Sequence, residues 1–199
     1  MSNLKSNKIF SENSSIWNFE LVSNFWVGGW LKVSNSSHGY HGILKQWWDF
    51  YVNNEKKNVL LISENNIVKN EFNTIYPNWD ISTLDLYTEI QQDTCDICAN
   101  ICDEKLPEKY DLIINQATLE HLYDPFGAMK NMCNSLNKDG YLISHSHAKN
   151  MDYHQYPRDY MRFMIDWWYD LPNNIPSIKL VELYEDEKLI HVFSCYKKS

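Results

Sequence analysis

His121, His145, His147 and His154 are the side chains of this sequence best suited to moving a proton near neutral pH. His145 and His147 close an apolar run. If that run is a strand that persists through them, their spacing sends both rings to one side. His121 stands in Thr118-Leu119-Glu120-His121-Leu122, just beyond another apolar run. Each ring has a second reading, as a partly buried histidine making one structural hydrogen bond, and His191, inside a late strand-like run, is read that way.

Arg158 and Arg162 are the only arginines in a chain that otherwise uses lysine. Both fall in His154-Gln155-Tyr156-Pro157-Arg158-Asp159-Tyr160-Met161-Arg162-Phe163. A guanidinium offers a rigid bidentate fork for carboxylate, phosphate or diol oxygens. The competing reading pairs Arg158 or Arg162 with Asp159 or Asp166 to pin the segment down. The nearby aromatics Tyr153, Tyr156, Tyr160, Trp167 and Trp168 suit either stacking on a sugar ring or core packing.

Cys95, Cys98 and Cys102 invite a metal reading, but the chain lacks the second paired element of a structural zinc site. Small apolar thiols packed around Ile97 and Ile101 account for them better. Magnesium held by Asp124 or Asp152 is disfavoured too, so no metal is expected.

The elements that position these residues are legible as alternating strand and helix. Val59 to Ile62 is a short apolar run, as for a strand buried on both faces. A polar loop, Ser63 to Asn66, leads to a helix from about 68 to 76. Further strands are read over 79–86, 110–114 and 141–145, with a helix over 125–136 and Gly140 at its left-handed C-terminal turn. The runs 179–184 and 189–196, split by Glu185-Asp186-Glu187, form an antiparallel hairpin. The expected fold is therefore α/β: a Rossmann-like, mostly parallel sheet with helices on both faces, closed by a terminal antiparallel hairpin. One domain is expected, with an aromatic-rich segment and lid or helix over 1–57 and the α/β core over 58–199. In the former, Ser34 to Gly42 reads as a hinged loop ahead of a helix over 43–53. Trp26 and Trp30 either cap the sheet or line a pocket.

A formal charge of −8 disfavours nucleic acid, whose phosphates need clustered Lys and Arg. Hydrophobic residues make up 44% of the chain, ordinary for a globular protein, and no stretch of eighteen apolar residues spans a membrane. The polar start, Met1 to Ser15, does not read as a secretory signal. A cytoplasmic protein with reduced thiols is expected.

The block Tyr110-Asp111-Leu112-Ile113-Ile114-Asn115-Gln116-Ala117-Thr118-Leu119-Glu120-His121-Leu122-Tyr123-Asp124-Pro125 resembles the fourth-strand motif of class I S-adenosylmethionine-dependent methyltransferases. There a "yDlI" strand precedes "LEH", an Asp-Pro turn and the next helix. Leu136-Asn137-Lys138-Asp139-Gly140-Tyr141-Leu142-Ile143 is similar to the family's turn into the fifth strand. The resemblance implies S-adenosylmethionine as cofactor and S-adenosylhomocysteine as product. It places Asp85, with Leu86, on the ribose hydroxyls, Asp96 and Ile97 on the adenine, and Asn115, Gln116 and Ala117 beside the methionine portion. The plain alternatives are a turn role for Asp85 and a helix cap for Asp96. The family's first loop is Gly-x-Gly-like, whereas this chain has Ile62-Ser63-Glu64-Asn65-Asn66. Ser63 and Asn65 stand in for it, with Asn65 and Asn66 expected to take the positive-φ turn.

The resemblance turns His121 and His145 toward the reaction centre as candidate catalytic bases. It makes the 154–163 segment similar to one found in several small-molecule and sugar methyltransferases. His154, Arg158 and Asp159, with Tyr40 and His41 from the lid, are thereby expected to bind the acceptor. The implied function is O-methylation of a sugar, glycan or other small polar molecule. The alternative is a methyltransferase-like binding or partner subunit that does no chemistry, which a glycine-free first loop would allow.

Overall fold

The computed structural model describes residues 10–11, 40–52, 55–86, 95–106, 109–154 and 158–199. Chain order is β1 (Phe10–Ser11), α1 (Tyr40–Tyr51), β2 (Lys57–Ile62), α2 (Asn66–Ile75), β3 (Trp79–Asp85), β4 (Ile97–Cys98) and β5 (Tyr110–Gln116), then a 3-10 turn (Leu119–His121). After the turn come α3 (Pro125–Asn134), β6 (Leu136–His147), α4 (Ile165–Asn174), β7 (Ile178–Glu185) and β8 (His191–Lys198). Among the described residues the strands form one eight-stranded sheet in the order β1-β7-β8-β6-β5-β2-β3-β4.

β2 to β6 pair in parallel, β8 runs antiparallel to β6, and β7 returns antiparallel to β8. The expected α/β class and terminal hairpin are what the structure shows. Val59, Leu60, Leu61 and Ile62 are fully buried because helices cover both faces. Leu60 and Ile62 join Ile113, Leu142, Met129, Met132 and Trp168 under α3 and α4. Val59 and Leu61 join Ile114, Ile143, Leu44, Trp47, Trp48 and Phe72 under α1 and α2. Each such side chain contributes roughly 1.5–3 kcal/mol by leaving water.

The chain winds outward from β2 through β3 to β4, then starts again at β5 and winds the other way to β6. The strand order reverses between β2 and β5, where doubly wound sheets open a crevice beyond their carboxyl ends. The ends are aligned there: Ile62 pairs with Leu84 and Asn115, Asn115 with Ser144, and Gln116 with His145.

Several local expectations change. Tyr40, His41 and Gly42 form the first turn of α1 instead of a loop. α3 stops at Asn134, so Gly140 is not its C-terminal glycine; Asp139 carries the left-handed φ of 63°. Gly140 is needed for space, since a Cβ there would lie 3.0 Å from the carbonyl oxygens of Asn137 and Tyr110. α4 was not expected, because Pro172 and the aromatic density mask its pattern. Ile165, Trp168 and Leu171, all buried at three-residue spacing, are its core face. Trp17, Phe19, Phe25, Trp26, Trp30, the loop over 34–39 and residues 155–157 lie outside the described residues. Among the described residues no helix is long and apolar enough to cross a membrane.

Candidate active site at the carboxyl edge of the sheet

The first loop leaves β2 through Ser63, whose φ is 56°. Ser63 takes the left-handed position expected of Asn65 or Asn66. Its N–H donates to the Leu84 carbonyl at 2.6 Å as the last rung of the β2–β3 ladder, and the left-handed φ then turns the chain away from the strand. Asn65 is extended and caps α2, its Oδ1 accepting from the Ile67 and Val68 N–H groups.

Asp85 ends β3, half-buried, with Oδ1 accepting from Leu86 N at 2.7 Å. Burial pushes its carboxyl up, with the Leu86 N–H pulling the other way. Leu86 is exposed beside it. Asp96 accepts from Thr83 N at 2.9 Å and Thr83 Oγ1 at 3.1 Å, and both its oxygens lie 2.9 Å from Lys69 Nζ. Burial works to raise this carboxyl, but Lys69 and Thr83 outweigh it and hold it below its ordinary value. Asp96 thereby ties α2 and β3 to the start of β4, where Ile97 is half-buried. Cys95 Sγ lies 3.0 Å from Cys98 Sγ, neither in a disulfide, and burial pushes Cys95 up to about 11.

At the end of β5 the buried Asn115 donates from Nδ2 to Ser144 Oγ at 2.7 Å, and its Oδ1 has no hydrogen-bond partner among the described residues. Half-buried Gln116 follows. Ala117 then turns the chain with a φ of 46°, its N–H donating to the His145 carbonyl at 3.0 Å. Both loops flanking the switch point thus turn on a left-handed residue other than glycine, a strained state typical of ligand-facing turns.

Beyond Ala117 the 3-10 turn carries Glu120, which is fully buried. Glu120 Oε2 accepts from Ser146 Oγ at 2.6 Å. Three imidazoles surround Oε1: His147 Nδ1 at 2.7 Å, His121 Nε2 at 3.9 Å and His154 Nε2 at 4.0 Å. The 2.7 Å contact is close but lacks hydrogen-bond geometry, leaving Oε1 and His147 Nδ1 without a directed bond among the described residues. Burial drives the Glu120 carboxyl upward; His147 and Ser146 outweigh this and hold it below the ordinary carboxylate range, so it is ionised.

Residues 158–163 are laced across this cluster. Tyr160 N donates to the Glu120 carbonyl at 2.8 Å, Phe163 N to the His147 carbonyl at 2.9 Å, and His121 Nδ1 meets the Arg158 carbonyl. Asp159 accepts from the guanidinium of Arg162 and, at 2.8 Å, from His154 N, which settles Arg162 as a pin. Arg158 is exposed, with Nη1 3.3 Å from the Tyr160 hydroxyl. His145 and His147 do share a side, ring centroids 5.5 Å apart, because β6 persists through both. His145 is fully buried, its Nε2 3.0 Å from His191 Nδ1, so His191 belongs to the histidine group that sequence reading left it out of.

The structure therefore brings His121, His145 and His154 to one edge and places the loop bearing Arg158 and Asp159 over it. Asp85 and Asp96 lie further along the same edge. Sequence reasoning missed Glu120 as the hub. Its signal was a carboxylate between Leu119 and His121 in a stretch that must tuck under the sheet's edge, where an acid needs basic partners.

A family model described as a methyltransferase domain matches residues 30–194. No curated protein sequence matches. Among solved structures, StiE O-MT residues 961–1257 is similar at a TM-score of 0.61 with 12% identity, over 96% of this chain and 89% of that one. The 1,6-didemethyltoxoflavin-N1-methyltransferase of Burkholderia thailandensis, solved with 1,6-didemethyltoxoflavin and S-adenosylhomocysteine, is similar at 0.60 with 10% identity, over 78% of this chain and 76% of that one. The pyocyanin biosynthetic protein PhzM is similar at 0.55 with 8% identity over 76% of this chain, which spans 53% of PhzM. These identities speak to the fold alone.

Proposed function

The chain belongs to the methyltransferase-domain family, and from that premise we propose that it moves the methyl group of S-adenosylmethionine to an oxygen of a sugar, glycan or other small polar acceptor. The cofactor lies along Ser63 and Asn65, Asp85 and Leu86, Asp96 and Ile97, and Asn115 to Ala117. The sulfonium is already activated, so the protein's work is alignment and proton removal. The acceptor oxygen bonds to the methyl carbon, the C–S bond breaks with its electron pair going to sulfur, and the hydroxyl proton leaves to an imidazole.

The observation that carries this reading is the set of imidazoles around the ionised Glu120, directly beyond Ala117. A neutral amine attacks with its own lone pair, whereas a hydroxyl acceptor needs such a place for its proton. Of the two rings nominated from sequence, His121 turns Nε2 toward the cluster, while His145 is spent on His191. The exposed rings of Tyr123 and Tyr160, 6.2 Å apart, and the exposed Arg158 suit a sugar-like acceptor, with His154 and Asp159 behind them and Tyr40 and His41 at the start of α1.

Calorimetric titration with S-adenosylhomocysteine is the first test, and saturable binding is expected. A second reading, a partner subunit without cofactor, is favoured by one feature: the first loop has no glycine and turns on a left-handed Ser63 instead. Folded protein that gives no binding heat would establish it.

A further inference from the structure

We propose that Glu120, His121 and His154 bind one divalent first-row transition-metal ion of the zinc class. Their donor atoms lie within 4.8 Å of one another: Glu120 Oε1 and the Nε2 atoms of the two histidines.

Tautomers decide what those atoms offer. His121 Nδ1 faces the Arg158 carbonyl, which only accepts, so Nδ1 carries the proton and Nε2 presents a bare lone pair. His154 Nδ1 faces the Asp152 carbonyl at 3.2 Å and Asp159 Oδ2 at 3.6 Å, acceptors again. Arg162 Nη2 is 3.3 Å away, but its two hydrogens go to the Asp152 carbonyl and Asp159 Oδ2. Glu120 is fully buried, and among the described residues its Oε1 lacks a directed hydrogen bond, His147 Nδ1 standing 2.7 Å to one side. Among the described residues three acceptor atoms thus converge with no hydrogen between them, and a cation is what complements that arrangement.

The donor set names the class. Two imidazoles and one carboxylate suit zinc, iron, cobalt or nickel, whereas magnesium and calcium prefer oxygen throughout. Metal–ligand distances of about 2.0–2.2 Å set tetrahedral donor atoms about 3.3 Å apart, so both rings must close in by about 0.6 Å. Anchoring the far nitrogen of each ring on a carbonyl or carboxylate is the usual support for a metal-binding histidine. Three protein ligands leave a coordination position open. An ion bound here occupies His121 Nε2 and leaves that ring no lone pair for a proton, so the metal-loaded state is distinct from the one in which His121 acts as base; the metal binding does not rest on the methyl-transfer reading. His145, His147 and His191 form a second close trio, but His145 and His191 are already bonded to each other, and the carboxylate against His147, Glu120, belongs to the first group.

The experiment is calorimetric titration of tag-free, chelator-treated full chain with zinc chloride, followed by dialysis and elemental analysis. One equivalent is expected, with no heat from magnesium chloride. Glu120→Gln risks misfolding, so the deciding variant is His154→Ala, on a ring that is 32% exposed, with its fold checked by circular dichroism. It should weaken zinc by more than about 100-fold, beyond what loss of a merely supporting group does, while His191→Gln retains one equivalent. No zinc on the parent chain, unchanged binding in His154→Ala, loss in His191→Gln, or equal affinity for magnesium each overturns the proposal. S-adenosylhomocysteine titrated into the same samples keeps the two readings apart. Cofactor binding without zinc refutes the metal alone; zinc binding without cofactor refutes methyl transfer alone.

Discussion

Asp159 and Arg162 close a bidentate ion pair three residues apart, the carboxylate 1% exposed and the guanidinium 17%. Arg162 also donates to the carbonyls of Met151 at 3.0 Å, Asp152 at 2.7 Å and Met161 at 2.8 Å. It thus joins the two ends of the segment holding His154. The Arg162 guanidinium lowers the Asp159 carboxyl to about 2. The pair's contribution is therefore complete above the unfolded value near 3.8 and is lost as pH falls toward 2. Arg162→Ala should lower stability in denaturant unfolding at pH 7 by about 2–4 kcal/mol, because it strips a buried carboxylate of its counter-charge and leaves it the His154 N–H. Arg162→Lys should recover less than half of that, lacking the fork. Full recovery by lysine would show that charge suffices.

Asp85 should govern cofactor affinity without governing the fold. Its carboxylate ends β3 half-buried, and in the proposed reading it accepts from the two ribose hydroxyls. Asp85→Ala should weaken S-adenosylhomocysteine by about 1.5–3 kcal/mol, roughly 10- to 150-fold. Unchanged affinity by calorimetry would remove Asp85 from the site.

The strands were readable because β2, β5 and the hairpin are short apolar runs between polar turns, and burial on both faces leaves that mark in composition. The left-handed turns were not. Ser63 and Ala117 are forced to positive φ by sheet geometry, and neither residue type advertises it. Nor was the site's centre legible. Glu120 is defined by Ser146 and His147, and by His154 on a loop folded back across the edge, and such long-range closure has no local signal. His191 was set aside for the same reason: its register opposite His147 fixes its neighbours.

Ser63 and Ala117 carry strain that glycine would relieve. Each costs on the order of 1 kcal/mol, part of which glycine's greater freedom in the unfolded chain takes back. Ser63→Gly and Ala117→Gly should each raise the melting temperature by about 1–2 °C. A fall in Ser63→Gly would mean that the Ser63 side chain itself holds the loop.

His121 and His145 should fail differently. His121→Ala should keep its affinity for S-adenosylhomocysteine and lose about 10²–10⁴-fold in turnover, the pattern of a lost transition-state interaction. His145→Ala opens a cavity beside Phe193 and strips His191 of its partner, so its principal loss should be stability. If His145→Ala loses turnover with its melting unchanged, the two roles are exchanged.

The last prediction concerns acid. Burial depresses the His191 imidazole from 6.5 to about 4, with Asp186 opposing and His147 adding to the depression. Between those two pH values the unfolded chain holds a proton on this ring that the folded chain does not. Acidification through that window therefore favours unfolding, and the loss is complete near pH 4. The contribution should be on the order of 2 kcal/mol, discounted because the ring is only partly shielded from water. His191→Gln keeps a polar group of similar reach but has no proton to gain. Its unfolding free energy should fall less steeply than the parent's between pH 6.5 and 4, and the two curves should run parallel above pH 7. Parallel curves throughout would mean that His191 is protonated in the folded protein as readily as in the unfolded chain, and that the acid sensitivity belongs to another group.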